Sequence, residues 1–73
     1  MYIIIEVDNT NMIVCREFSL FSEEGLENFI AQTNIDLKKE WFREERFTEH
    51  LMNQLEDYSN EYFSYKAIPI TIH

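Results

Sequence analysis

Apolar residues, many of them β-branched or aromatic, are concentrated near both ends of this chain, which predicts strands there. Residues 2–7 hold three isoleucines, a valine and Tyr2, a composition typical of strands. Turn-forming residues follow at 8–11, residues 12–21 predict a second strand, and residues 63–72 predict a third. Pro69 has no N–H to donate, so we expect the third strand to lie at a sheet edge or to carry a bulge.

The first two strands are expected to form a hairpin. A four-residue loop pairs Val7 with Met12 and Ile5 with Val14. Because side chains alternate between the two faces of a sheet, this register predicts that the odd-numbered residues of the first strand face the core. Arg16 is the misfit on that face, and we expect it to extend towards solvent at the sheet margin.

Between the strands, apolar residues recur at helical spacing. Ser22, followed by two glutamates, is a typical N-cap and predicts a helix over residues 23–33. Asn34 or Asp36 is expected to cap a further helical segment around residues 37–42.

The most regular helical stripe comes later in the chain: Phe47, Leu51, Leu55, Tyr58 and Tyr62. Trp41 falls outside it, because six residues correspond to about 600° of rotation and leave its side chain about 120° away. The pattern therefore favours a break near residues 43–46, with Thr48 as the cap of the helix that follows.

The order strand, strand, helices, strand predicts the fold class. A three-stranded antiparallel sheet covered by two or three helices lets each element bury its apolar face once, in an α+β fold. A chain of 73 residues supports one small core, so we predict a single domain over residues 1–73.

The chain is strongly acidic, with 14 Asp and Glu against 6 Lys and Arg and a net charge of −8. Such a field repels nucleic acids and anionic membranes and attracts basic partners. The apolar content of 45% is too high for a disordered acidic tail. We therefore expect a folded protein that contacts neither nucleic acid nor membrane and binds a basic protein surface.

Catalytic and metal-binding motifs are not apparent. No phosphate loop, nucleophile elbow or paired cysteine motif occurs, and His50 is expected to be a solvated helix residue. Cys15 is the single cysteine, which argues for a reducing, cytoplasmic location and predicts a half-buried sheet residue. No signal peptide or membrane span is predicted, and we expect neither an enzyme nor a bound cofactor or metal.

The candidate partner-binding residues are acids and aromatics. On a helix that includes residue 45, the acids would form a negative ridge comparable in spacing with a nucleic-acid backbone: Glu45, Glu49, Glu56, Asp57 and Glu61. The alternative is a solvated face that keeps the protein soluble. Trp41 and Phe42 are adjacent and cannot both face one narrow seam, so either one is an exposed anchor or both pack on opposite sides of a short helix.

A short, acidic, glycine-poor chain with a single cysteine resembles in general character the small phage-encoded inhibitors of bacterial defence, the anti-CRISPR and anti-restriction proteins. The matching features are the size and the acid-rich stretch over residues 36–61. The resemblance implies an inhibitor in the host cytoplasm that occludes the basic DNA or RNA site of a nuclease or another nucleic-acid-binding protein, by mimicry of DNA. The alternative hypothesis is a structural or assembly module that forms a homodimer through an edge strand or the aromatic pair.

Overall fold

The computed structural model describes residues 1–71 and confirms the α+β fold. Strands β1 (Tyr2–Asp8) and β2 (Ile13–Leu20) precede helix α1 (Glu23–Thr33). A short 3₁₀ helix (Lys39–Arg43), helix α2 (Phe47–Tyr58) and strand β3 (Phe63–Pro69) complete the order. The sheet order is β2-β1-β3, with β1 antiparallel to both neighbours.

The core lies between the sheet and the two α-helices. Helix α1 packs on β2 and α2 packs on β3, so each helix covers one side of the central strand. Phe18 of β2 meets Phe29 of α1 edge to face, with ring centroids 5.0 Å apart. The buried apolar residues come from every layer: Ile4, Phe18, Leu20, Leu26, Phe29, Ile35, Leu37, Phe47, Leu51 and Leu55.

The predicted hairpin register is wrong. Val7 pairs with Val14, and Glu6 pairs with Arg16, so Cys15 is the extra residue of a β-bulge. The bulge exposes Cys15, which we had expected to be half-buried. It also turns Arg16 towards the helices, on the same face as the buried Ile4, so the even-numbered residues of β1 face the core.

The turn chemistry of the hairpin was predicted correctly, but the turn sits one residue later than expected. The Asp8 carboxylate accepts hydrogen bonds from the backbone N–H groups of Thr10 and Asn11 and from the Asn11 side chain. The bond from the Asn11 side chain is the main reason that the pKa of Asp8 is lowered from its usual 3.8, and the two backbone bonds add to it. Met12 closes the turn with a left-handed backbone, at φ 57°.

Helix α1 has the predicted bounds. The Ser22 hydroxyl accepts a hydrogen bond from the Gly25 N–H, as expected of an N-cap. Gly25 is needed for a second reason, because a Cβ at this position would overlap the Ser19 carbonyl oxygen of β2. The absence of a side chain therefore lets α1 lie directly against the sheet.

The predicted break before α2 is confirmed, but the predicted caps are wrong. Asn34 ends α1 in a left-handed conformation, and the next helical turn begins after Lys38, which makes no side-chain cap bond. Arg46 occupies the N-cap of α2, also without a side-chain cap bond, and Thr48 lies inside the helix. The Thr48 hydroxyl is instead 2.7 Å from the Tyr2 hydroxyl of β1.

The second half of the chain ends at the edge of the sheet. Helix α2 stops at Tyr58, so Tyr62 lies outside the helical stripe and is exposed. Strand β3 is an edge strand, as Pro69 predicted, and it ends at this residue. The predicted strand extends to residue 72, and residues 72 and 73 lie outside the described residues.

Candidate interaction surface

The structure divides the five predicted acids among three segments. Glu49, Glu56 and Asp57 are exposed on α2. Glu45 lies in the turn before the helix, and Glu61 lies in the connection after it. The predicted ridge on one continuous helix is therefore wrong, because α2 begins at Phe47 and ends at Tyr58.

What remains on the helix is a shorter acidic face. Glu49 and Glu56 lie about two turns apart, so their side chains leave the same side of α2 about 10 Å from each other along its axis. Met52 and Asn53 are exposed between them. Asp57 projects about 100° around the axis from Glu56. The regular spacing of successive i,i+4 carboxylates that would imitate a phosphate backbone is not maintained.

Ion pairs use most of the cations of this protein. Arg43 Nε lies 2.7 Å from Glu23, and Lys39 Nζ lies 2.8 Å from Glu27. Arg46 Nε lies 3.3 Å from Glu49, one of the predicted partner-binding acids. These pairs are exposed and add little to stability, but they leave few cations for the other acids.

Most charged side chains without an ion-pair partner among residues 1–71 are therefore acidic. Besides the three exposed pairs, Arg16 is bound to Glu6, and Lys38 lies 5.6 Å from the centre of the Trp41 ring. Within residues 1–71, four of the predicted acids have no ion-pair partner: Glu45, Glu56, Asp57 and Glu61. These four acids lie on the C-terminal half of α2 and in the connections before and after this helix.

Trp41 and Phe42 both contact α2, at residues three positions apart, and neither is the exposed anchor that one of the two alternatives predicted. Trp41 stacks on His50 with ring centroids 4.1 Å apart, and Phe42 meets Phe47 edge to face at 5.4 Å. Both aromatics are half-buried against the core. The expectation that His50 is a solvated residue is wrong, because the indole ring covers it. Only part of each aromatic ring is left for a partner.

A shallow apolar hollow lies beside Phe42. Its volume is about 210 Å³, and its lining residues are Met1, Tyr2, Leu20, Phe42 and Phe47. The Tyr2 hydroxyl is already hydrogen-bonded to Thr48. Typical small-molecule sites are larger and combine apolar walls with several converging polar groups, so the hollow has the features of a packing imperfection at the end of the sheet.

A buried polar cluster centred on Glu6 was not predicted from the sequence. Glu6 is only 7% exposed. Its carboxylate accepts two hydrogen bonds from Arg16, from Nε at 3.0 Å and from Nη2 at 2.7 Å, and a third from the Tyr65 hydroxyl at 2.6 Å. Arg16 Nη1 also donates to the Gln32 carbonyl of α1 at 3.1 Å. The cluster ties all three strands to the helix layer.

The protonation of this cluster follows from its bonds. The hydrogen bonds from Arg16 are the main reason that the pKa of Glu6 is lowered from 4.5, and burial opposes them only in part. Burial and the bond to Glu6 raise the pKa of Tyr65 above 10.0. Glu6 is thus held ionised with its acceptors occupied, and these features are typical of a structural anchor. A signal existed in the sequence, since Glu6 interrupts an apolar strand.

Within residues 1–71, no group of three or more His, Cys, Asp or Glu side chains is placed to hold a metal ion. Neither α-helix of the described chain has the length and apolar character that crossing a bilayer requires. Comparison of the chain with protein-family models, with curated proteins and with solved structures finds no match. Function is therefore inferred from the residues of this chain.

Proposed function

We propose that this protein is a small inhibitor that binds the basic nucleic-acid-binding site of a nuclease or another nucleic-acid-binding protein. The observation that carries the proposal is the unequal pairing of charge. Among residues 1–71, four of the six cations are held in ion pairs, whereas most exposed acids are not. An approaching basic groove meets a surface whose free charges are nearly all negative.

The proposed contact residues lie around α2. Glu56 and Asp57 are at its exposed C-terminal half, with Glu61 following in the next connection and Glu45 preceding the helix. Glu49 lies on the same side, although Arg46 shares its charge. Because the acids do not follow one regular helix, the proposal depends on their net field. It does not depend on a replica of the spacing of DNA phosphates.

The aromatic residues have a secondary role in this proposal. Trp41 and Phe42 contact His50 and Phe47 of the protein itself, which orders the connection between the helices. Their remaining exposed edges lie close to Glu45 in the chain and provide apolar contact area beside the acids.

The proposal is tested by affinity capture. Immobilised protein is exposed to a nuclease-treated bacterial lysate, and bound proteins are eluted either with salt or with a duplex DNA oligonucleotide. We expect nucleic-acid-binding proteins to be retained at low salt and released by both eluents, because charges farther apart than about 8 Å are screened at physiological ionic strength. Retention that is equally strong at low and high salt would contradict the proposal.

Two variants with the same change in net charge show whether the surface around α2 is responsible. Glu56→Gln combined with Asp57→Asn removes two charges from this surface, and we expect it to weaken capture by about tenfold. Glu24→Gln combined with Asp36→Asn removes two exposed, unpaired charges elsewhere and is expected to have a much smaller effect. Equal losses in both variants would assign binding to overall charge and refute the proposed surface.

A further inference from the structure

One face of the sheet carries no helix. The helices cover the face that bears the even-numbered residues of β1, and the odd-numbered residues project to the other side. We call this other side the open sheet face. Its centre is formed by Ile3, Ile5 and Val7, all of them half-buried.

The flanking strands extend this apolar centre. Val14 of β2 pairs with Val7 and is 54% exposed, and Ile68 of β3 pairs with Ile3 and is 43% exposed. Paired residues in antiparallel strands share a face, so these side chains continue the apolar surface across all three strands. An antiparallel sheet with a solvated face normally has polar residues there. The centre of the open sheet face departs from that pattern, whereas Ser19 and Ser64, which pair with Ile3 and Val7, follow it on the flanking strands.

Charged residues on the open sheet face occur as one opposed pair. Ile5 pairs with Glu17 of β2 on one side and with Lys66 of β3 on the other. Strands lie about 4.8 Å apart, which places the two charges on opposite margins of the sheet, and they form no ion pair with each other within the chain. Lys66 is also exposed and has no acidic partner within residues 1–71.

We propose that the open sheet face is the interface of a homodimer, in which two sheets pack face to face about a two-fold axis parallel to β1. Such an axis places β2 of one copy over β3 of the other, so that Glu17 of each copy faces Lys66 of the second copy. An in-plane axis across the strands would instead place Glu17 over Glu17 and Lys66 over Lys66. The charges of Glu17 and Lys66 therefore favour a second copy of this chain as the partner, and they favour the axis parallel to β1.

The geometry fits the known packing of sheets. Sheets that pack face to face lie about 10 Å apart with their strands within about 30° of each other, a gap that Glu and Lys side chains span together. Both helix layers would lie on the outside of the dimer, so the acidic surface around α2 remains accessible. The homodimer is thus independent of the proposed inhibitor function.

The size of the open sheet face sets the expected strength of the dimer. Three strands of about seven residues cover roughly 23 Å by 14 Å, which is less than the standard interface of about 800 Å² per partner. We therefore expect a weak dimer that forms with rising concentration. Neither the edge strand nor the aromatic pair is needed, since Trp41 and Phe42 already pack against the protein itself.

Sedimentation equilibrium of the purified protein between about 10 µM and about 1 mM tests the proposal. We expect a monomer–dimer equilibrium within this range. Ile5→Thr, which keeps a β-branched side chain, should weaken dimerisation by about tenfold or more, because it places a hydroxyl at the centre of the interface. Ile13→Thr is the matched control, because Ile13 pairs with Asp8 and belongs to the other face.

Charge exchange supplies a second measurement that does not depend on the apolar core. Lys66→Glu and Glu17→Lys should each weaken the dimer, because each puts like charges opposite one another. The double variant with both exchanges should restore dimerisation to within about threefold of the original value. The proposal is overturned if the wild-type protein is monomeric at about 1 mM. It is also overturned if Ile13→Thr weakens dimerisation as much as Ile5→Thr, or if the double exchange does not restore dimerisation.

Discussion

The Tyr65 hydroxyl gives the sharpest test of the polar cluster that joins the sheet to α1. Tyr65→Phe removes one hydrogen bond to Glu6, 2.6 Å long, and leaves the ring and both bonds from Arg16 in place. A hydrogen bond to a charged group contributes about 1.5–3 kcal/mol. Because Tyr65 is half-buried and Glu6 keeps its other donors, we expect a loss of about 1–2 kcal/mol in the free energy of unfolding at pH 7.

The loss should depend on pH at both ends of the scale. The pKa of Glu6 is lowered in the folded protein, so its contribution is complete above its ordinary value of 4.5 and disappears as the pH falls through the folded value. The pKa of Tyr65 is raised, so its contribution is complete below 10.0 and disappears as the pH rises through the folded value. The difference between wild type and Tyr65→Phe should therefore form a plateau between these limits and decline beyond them.

Urea denaturation at a series of pH values, followed by circular dichroism, measures this difference. Tyr62→Phe is the matched control, because Tyr62 is 60% exposed and its hydroxyl makes no hydrogen bond within residues 1–71. We expect the control to change the free energy of unfolding by less than about 0.5 kcal/mol at every pH. A Tyr65→Phe loss as small as that of the control, or one that stays constant from neutral pH down to the most acidic pH at which the protein is still folded, would refute the role given to the cluster.

Two further predictions concern packing and are checked by the same denaturation assay. Gly25→Ala should destabilise the protein by about 2 kcal/mol, because its new methyl group overlaps the Ser19 carbonyl. Ala31→Gly, at an exposed position of α1, measures the helix-propensity difference between alanine and glycine alone, about 1 kcal/mol. A stabilising effect of Gly25→Ala would show that α1 does not approach β2 this closely. Leu51→Ala should cost about 2–5 kcal/mol because Leu51 is fully buried, whereas Met52→Ala, 40% exposed, should cost less than about 1 kcal/mol. Similar losses at Leu51 and Met52 would contradict the orientation of α2.

The sequence identified the elements because each has a strong local cause. Ser22 and two glutamates define the start of α1, whereas the apolar spacing after Phe47 predicts α2 but not its first residue, since Thr48 was expected to be the cap. The composition of residues 2–7 and the proline at 69 predicted a strand and a sheet edge. The α+β order followed from these local signals together with the need to bury each apolar face once.

The candidate surface was predicted only in part. The acids are visible in the sequence, but their arrangement depends on where α2 begins and ends, and Glu45 and Glu61 fall outside it. The partner of Glu49 is Arg46, three residues earlier in the chain, and this pair was not anticipated. Residues three apart are neighbours on a helix surface, so the spacing of Arg46 and Glu49 was a signal for this pair.

Which face of the sheet is buried was decided by the tertiary structure. Both faces of β1 carry isoleucine, Ile3 and Ile5 on one and Ile4 on the other. The alternation of side chains along the strand therefore did not predict which face is buried. The bulge at Cys15 and the packing of both helices on the Ile4 side settled the choice. Glu6 is buried for the same reason, since Arg16 and Tyr65 reach it only after three strands have been brought together.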